Sequence, residues 1–196
     1  MNMAISLLRM IVTALLIVHV HAFAPSGAAA SGNGTRVPES LRLTDQHGNV
    51  FKLEDLKGKP SVVNFGFTHC PVVCPTMLSG VSFYMNKLSN RADDINFVFV
   101  SVDPERDTAK VLKEYIGNFD DRIIGVTGTS EGIANLAKVF DTKYEKRTVD
   151  GDSYEMAHVI FAYLLDKTGK KVGTLYTGSD ANPTFVMKRL TKLLQE

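Results

Sequence analysis

Two short runs of apolar, β-branched and aromatic residues, SVVNFGF (residues 61–67) and INFVFVSV (residues 95–102), flank a stretch in which Leu78, Val81, Met85 and Leu88 recur at helical spacing. Such runs read as buried strands, and the intervening three-to-four-residue period reads as an amphipathic helix. A chain that alternates strand and helix in this way is committed to an α/β sandwich, with helices covering a sheet.

The alternation continues on both sides. Upstream, LRLTDQHGNVFKLEDL alternates apolar and polar residues about His47-Gly48-Asn49, as a β-hairpin does. Downstream, an Asp107-Thr108 cap precedes a second helix marked by Val111, Leu112, Tyr115, Ile116 and Phe119; the short strand RIIGV follows, then a third helix marked by Ile133, Leu136, Ala137 and Phe140. HVIFAYLLD and KVGTLYTG are strands joined by the turn Lys167-Thr168-Gly169, hence antiparallel. Asn182 and Pro183 cap and open a last helix carrying Val186, Leu190 and Leu193. This order predicts a thioredoxin-like sandwich with an N-terminal β-hairpin and an inserted helix-strand unit between Thr108 and Val126.

Residues 1–22 read as an export signal, because Arg9 is followed by the apolar run Met10 to Val18 and then by small residues, with cleavage after Ala22 fitting best. The same stretch could instead stay in place as an uncleaved membrane anchor. No cysteine lies near the cleavage region, so neither route is that of a lipoprotein. Residues 23–35, rich in Ala, Ser and Gly, read as a flexible tether, and the folded domain spans 36–196. With 22 Lys+Arg against 21 Asp+Glu, a formal net charge of +1, the chain has no global field to hold a nucleic acid.

The only two cysteines, Cys70 and Cys74, lie four apart in NFGFTHCPVVCPT, each followed by proline. Pro75 suits a first helical turn, which places Cys74 at a helix N-terminus, where free N–H groups and the positive end of the helix dipole stabilise a thiolate. Outside the cytoplasm a thiol pair is oxidised unless a metal or a reductant protects it. Side chains four apart on a helix face the same way, so the sulfurs can converge on a soft ion or close a disulfide. As a structural staple the pair would close only a short loop, which contributes least. A redox couple is the stronger competitor, although dedicated oxidoreductases of the thioredoxin type use CxxC and a cis-proline, and Asp152 to Leu165 contains no proline. Peroxiredoxins place Thr or Ser where Phe67 stands. For a metal, His158 is the candidate third donor, placed immediately before the strand VIFAYLL and so beside the first helix. His69 adjoins Cys70 and is expected to face partner or solvent. Met77 and Met85 fall at core spacing, and Met156 lies two residues before His158.

FGFTHCPVVCPTML, VFVSVDPERDT, IIGVTGTSEGIANLAKVF and MAHVIFAYLLDKTGK together resemble the Sco/SenC family of thioredoxin-like copper proteins serving cytochrome c oxidase assembly. The resemblance covers about Leu41 to Leu194. It implies that Cys70, Cys74 and His158 are copper ligands, and that Asp103 is an acidic residue near the centre that does not itself ligate. Asp103-Pro104 could equally serve as a turn cap, with an Arg106–Asp107 ion pair holding the loop. Where family members commonly carry Asp before the ligand histidine and after the first Cys-Pro, this chain has Ala157 and Val72. The function implied is that of an exported copper chaperone, not a turnover enzyme. It would hold copper, Cu(I) or Cu(II), near the surface in the periplasm or anchored to the inner membrane facing it. Its partners would be the copper-bearing subunit of cytochrome c oxidase and a thiol reductant or another copper chaperone. His69, Val72 and Val73 would be docking elements, although Val73 taken alone reads as core. The alternative is a thiol–disulfide oxidoreductase or redox sensor acting through Cys70 and Cys74.

Overall fold

The computed structural model describes residues 42–196 apart from Asp152. The signal, anchor and tether expectations, and the start of the domain at residue 36, lie outside the described residues. Nine strands are present among them: β1 (Leu43–Asp45), β2 (Val50–Phe51), β3 (Ser61–Gly66), β4 (Asn96–Ser101), β5 (Ile124–Gly128), β6 (Tyr144–Asp150), β7 (Ser153–His158), β8 (Ala162–Leu165) and β9 (Lys171–Leu175). The α-helices are α1 (Val73–Leu88), α2 (Ala109–Ile116), α3 (Ser130–Phe140) and α4 (Pro183–Leu193). None of these helices is long and apolar enough to cross a membrane.

Seven strands form one mixed sheet in the order β2-β1-β5-β4-β3-β8-β9. β3, β4 and β5 run parallel, whereas β1 joins β5, and β8 joins both β3 and β9, antiparallel. Steps from β3 to β4 and from β4 to β5 go in the same direction, so right-handed crossovers put α1 and α2 on one face of the sheet. The return from β5 across the sheet carries α3 to the other face, where the Phe140 ring meets Phe65 at 5.3 Å and Tyr163 at 5.4 Å. This is the predicted thioredoxin-like sandwich. The hairpin is β1-β2, and the expected helix-strand unit is α2-β5, whose strand lies inside the sheet between β1 and β4. β3 is buried at every position, as a central strand covered on both faces should be.

Cap chemistry sets the helix starts. Thr108 accepts from the Val111 N–H at α2, and Asn182 accepts from the Phe185 N–H at α4, with Pro183 in the first turn. Asp107 does not share in the α2 cap, as the sequence had suggested; it is fully buried and bonded elsewhere.

β6 and β7 add an element that the sequence reading lacked and correct the placement of His158. These strands pair only with each other, as a two-stranded antiparallel ribbon separate from the main sheet, with Tyr144 opposite His158. His158 therefore ends the ribbon strand β7 and does not open the sheet strand; residues 159–161 intervene before β8. Buried Met77 and Met85 pack in the core as expected.

Candidate metal centre

Cys70 stands in the loop between β3 and α1, and Cys74 is the second residue of α1. The helix has no side-chain cap at Val72. The Cys70 sulfur takes that role, accepting from the Cys74 backbone N–H at 3.4 Å. A helix N-terminus offers unpaired donors and positive potential, so the sulfur that caps it is favoured as a thiolate. Hydrogen bonding from the Cys74 side chain lowers the Cys70 thiol from its ordinary 9.0 to about 4, against the opposing effect of burial. That same bond, with burial, pushes the Cys74 thiol up. One proton is thus held between the two sulfurs through the neutral range.

The depressed Cys70 value contributes stability that is complete above 9.0 and lost as pH falls through about 4. Cys74 acts oppositely, contributing below 9.0 and losing that contribution as pH rises. Reactivity reads out the difference: in reduced, metal-free protein at pH of about 6, iodoacetamide should alkylate Cys70 and spare Cys74. Peptide mass spectrometry checks this, and preferential labelling of Cys74 would contradict it.

Close approach brings the Cys74 sulfur against the sheet. A Cβ placed on Gly66 would lie 2.7 Å from that sulfur and 2.7 Å from a ring carbon of Phe99, so the last residue of β3 has to lack one.

His158 Nε2 lies 3.4 Å from the Cys74 sulfur. Its Nδ1 is 2.7 Å from the Val159 carbonyl oxygen. A carbonyl only accepts, so Nδ1 carries the proton, and the lone pair of Nε2 is left facing sulfur. The Phe67 ring meets the imidazole edge-on at 5.7 Å. One donor atom from each of Cys70, Cys74 and His158 lies within 4.8 Å of the other two. The sequence expectation of a centre at the surface is corrected. Cys74 is fully buried and Cys70 is 8% exposed, at a cleft whose walls come from the loop preceding α1 and from β7. Access is through a cleft of about 260 Å³ lined by Pro71, Val73, Met156 and Ile160.

The remaining sequence candidates divide. His69 is exposed and is not part of the donor group; its Nδ1 lies 3.1 Å from the Thr68 hydroxyl and 3.8 Å from Asp107. Val72 is 66% exposed and Val73 is 37% exposed, so Val73 is not the core residue that its apolar character suggested. Asp103 is buried; Arg106 makes its ion pair with Asp103 and not, as the sequence had suggested, with Asp107, and the Tyr154 hydroxyl lies 2.8 Å from Asp103. Asp107 instead accepts from the Thr68 N–H at 2.9 Å, the Thr68 hydroxyl at 2.6 Å and the Ser101 hydroxyl at 2.6 Å. Three donors offset much of the cost of burying that carboxylate and hold the chain two residues ahead of Cys70. Tyr154, and the ribbon that carries it, did not emerge from the sequence. The one available signal was Asp150-Gly151, a hairpin-turn dipeptide whose glycine has φ of +53°.

A family model described as SCO1/SenC matches residues 29–195. An SCO2-like protein of Rickettsia felis is 36% identical over 160 residues, which is 81% of this chain and 77% of the relative. ScoI of Bradyrhizobium japonicum, solved with copper bound, superposes with a TM-score of 0.73 at 35% identity, covering 79% of this chain and 97% of that one. BsSco, a member of the Sco family of cytochrome c oxidase assembly proteins in which a disulfide switch was identified, gives a TM-score of 0.63 at 25% identity, covering 79% and 91%.

Proposed function

This chain belongs to the SCO1/SenC family, and from that premise we propose that it is an exported copper chaperone. Its cargo would be held between Cys70, Cys74 and His158 and passed to the dinuclear copper site of cytochrome c oxidase. The observation that carries this reading is the convergence of two sulfurs and one imidazole nitrogen, all within 4.8 Å. Thiolates with an imidazole suit copper, Cu(I) above all, and the relative solved with copper supports the same cargo.

The chain's own residues prepare the site before the ion arrives. Cys70 is held as a thiolate by the helix end and the Cys74 thiol, so only one proton has to leave when both sulfurs bind. The Val159 carbonyl fixes the imidazole tautomer with Nε2 free. Pro71 and Pro75 restrict the loop and reduce the ordering cost of binding. Release would follow by ligand exchange through the cleft beside Cys70, with Val72 and Val73 at its rim meeting the acceptor. The apolar run at residues 10–18 supports export, to the periplasm or to an inner-membrane anchor facing it.

The second reading, a thiol–disulfide oxidoreductase or redox sensor, is favoured by the lowered Cys70 thiol. In that chemistry the Cys70 thiolate would attack a client disulfide, and Cys74 would then resolve the mixed disulfide. Two electrons and the pair's one proton would pass to the client as Cys70 and Cys74 oxidise, and the client's other sulfur would leave as a thiolate that takes its proton from solvent. The two activities are compatible, because an oxidised pair must be reduced before it can ligate.

Titration of reduced protein with Cu(I) against a competing chelator separates them. His158→Ala should weaken copper binding by about ten- to a hundredfold while leaving thiol–disulfide exchange within about a factor of two. Equal copper affinity in the two proteins would end the three-ligand reading and leave the redox one.

A further inference from the structure

His158 sits on an element that shares no backbone ladder with the main sheet. Its distance from the sulfurs is therefore set by the three-residue link to β8 at one end and by side chains along the ribbon. Those that tie the ribbon down converge on the turn at residues 103–107. The Tyr154 hydroxyl donates to Asp103 Oδ1 at 2.8 Å. Arg106, paired through Nε with Asp103 Oδ2, donates from Nη1 to the Tyr154 carbonyl at 3.3 Å, and its guanidinium lies 3.9 Å from the centre of the Tyr154 ring. From the other strand, Lys146 Nζ also lies 3.9 Å from that ring and reaches Glu105 at 2.7 Å. Both strands of the ribbon are thus fastened to one turn.

The same turn holds the cysteine loop at its other end. Asp107 binds the Thr68 N–H and hydroxyl, and the Asp107 and Arg106 N–H groups both donate to the Asp103 carbonyl, making the turn rigid. Neither aspartate has a hydrogen bond or ion pair with a sulfur or with the His158 imidazole.

We propose that Tyr154 is the positioning residue of His158. With the 103–107 turn as a bracket, it sets the gap between the imidazole and the Cys70–Cys74 pair. The inference rests on the copper-ligand reading above. Tyr154 lies four residues before His158 on the same strand, a lever of about 13 Å at about 3.3 Å per residue. The contact at its end, 3.4 Å from Nε2 to the Cys74 sulfur, is unmade by a shift of about an ångström. Arg106 adds a second path, since its guanidinium also lies 5.8 Å from the centre of the Phe67 ring that meets His158.

The test is a double-mutant cycle with the full chain, reduced, using Cu(I) under a chelator. Tyr154→Leu should lose about ten- to a hundredfold in affinity, and Tyr154→Phe, which keeps the ring against Arg106 and Lys146, several-fold less. In the His158→Ala background neither change should cost anything further, because a residue acting through His158 has nothing left to act on. A loss of the same size in both backgrounds overturns the proposal. In metal-free protein, the His158 Nε2 signal in imidazole 15N NMR, which reports the 3.4 Å contact with the Cys74 sulfur, should shift in Tyr154→Leu while the Nδ1–H tautomer held by the Val159 carbonyl persists. An unchanged imidazole spectrum overturns the proposal whatever copper does. Unaltered copper affinity in His158→Ala would instead remove the ligand reading beneath it, and the imidazole spectrum would then decide the bracket by itself. Should the leucine variant fail to fold, the phenylalanine variant carries both comparisons.

Discussion

Cys74→Ser should reduce copper affinity by roughly a thousandfold or more, about 4 kcal/mol at 1.4 kcal/mol per decade, and leave the fold standing. The sulfur removed is the one that both Cys70 and His158 address, so its loss dismantles the donor set and does not merely thin it. A hydroxyl in its place is smaller and can still bond to the imidazole. The cost to metal-free stability should therefore be about 1 kcal/mol, a few degrees in melting temperature for a domain of this size. The core is built from other residues, such as Phe65, Phe99, Leu112, Ile133 and Leu164, all almost fully buried. Chelator competition and thermal unfolding of the same preparation check both halves. Copper affinity within tenfold of wild type would refute the ligand set. A collapse in melting temperature would instead make the pair a structural element.

Gly80→Ala should have the largest effect on stability. In an exposed helix the change would help, because alanine is favoured over glycine by about 1 kcal/mol. Here a Cβ on Gly80 would fall 1.7 Å from the Thr177 carbonyl oxygen and 2.9 Å from its carbon, a collision with backbone that no rotamer relieves. Helix α1 would have to lift from the segment following β9, breaking the bond from the Thr177 hydroxyl to the Met77 carbonyl and loosening buried Met77, Val81 and Tyr84. A loss of more than about 3 kcal/mol is expected, read from the midpoint of urea unfolding. Stability equal to or above wild type would mean that α1 and the strand end do not touch as described.

Sulfur placement explains why these two positions matter to one another. Gly66 lets the Cys74 sulfur rest on β3, and Gly80 lets the same helix rest on the chain beyond β9. A helix held at both points keeps its N-terminus, and so the capping Cys70, at a fixed place over the C-terminal end of β3.

Strands β3 and β4, the four helices and the β8-β9 hairpin were legible in residue order, because each buries an apolar face whose period announces it. The pair Cys70 and Cys74 was legible for a similar reason, being a local pattern at a strand-to-helix junction. The ribbon was not. Its strand β6 exposes nearly every residue, so no buried face leaves a period of two in the sequence. Asp103, Arg106 and Asp107 were visible as a charged turn, but their partners were assigned wrongly, since Thr68 and Tyr154 are distant in sequence and adjacent only once folded.

Local chemistry thus settled the sandwich, the thiols at a helix start and the candidate imidazole, because periodicity, capping and side-chain type act over a few residues. Folding alone decided how near Nε2 of His158 comes to the sulfurs, which aspartate faces which strand, and that the centre lies beside a ribbon. Those outcomes depend on contacts between residues as many as 84 apart, and no local pattern encodes such a distance.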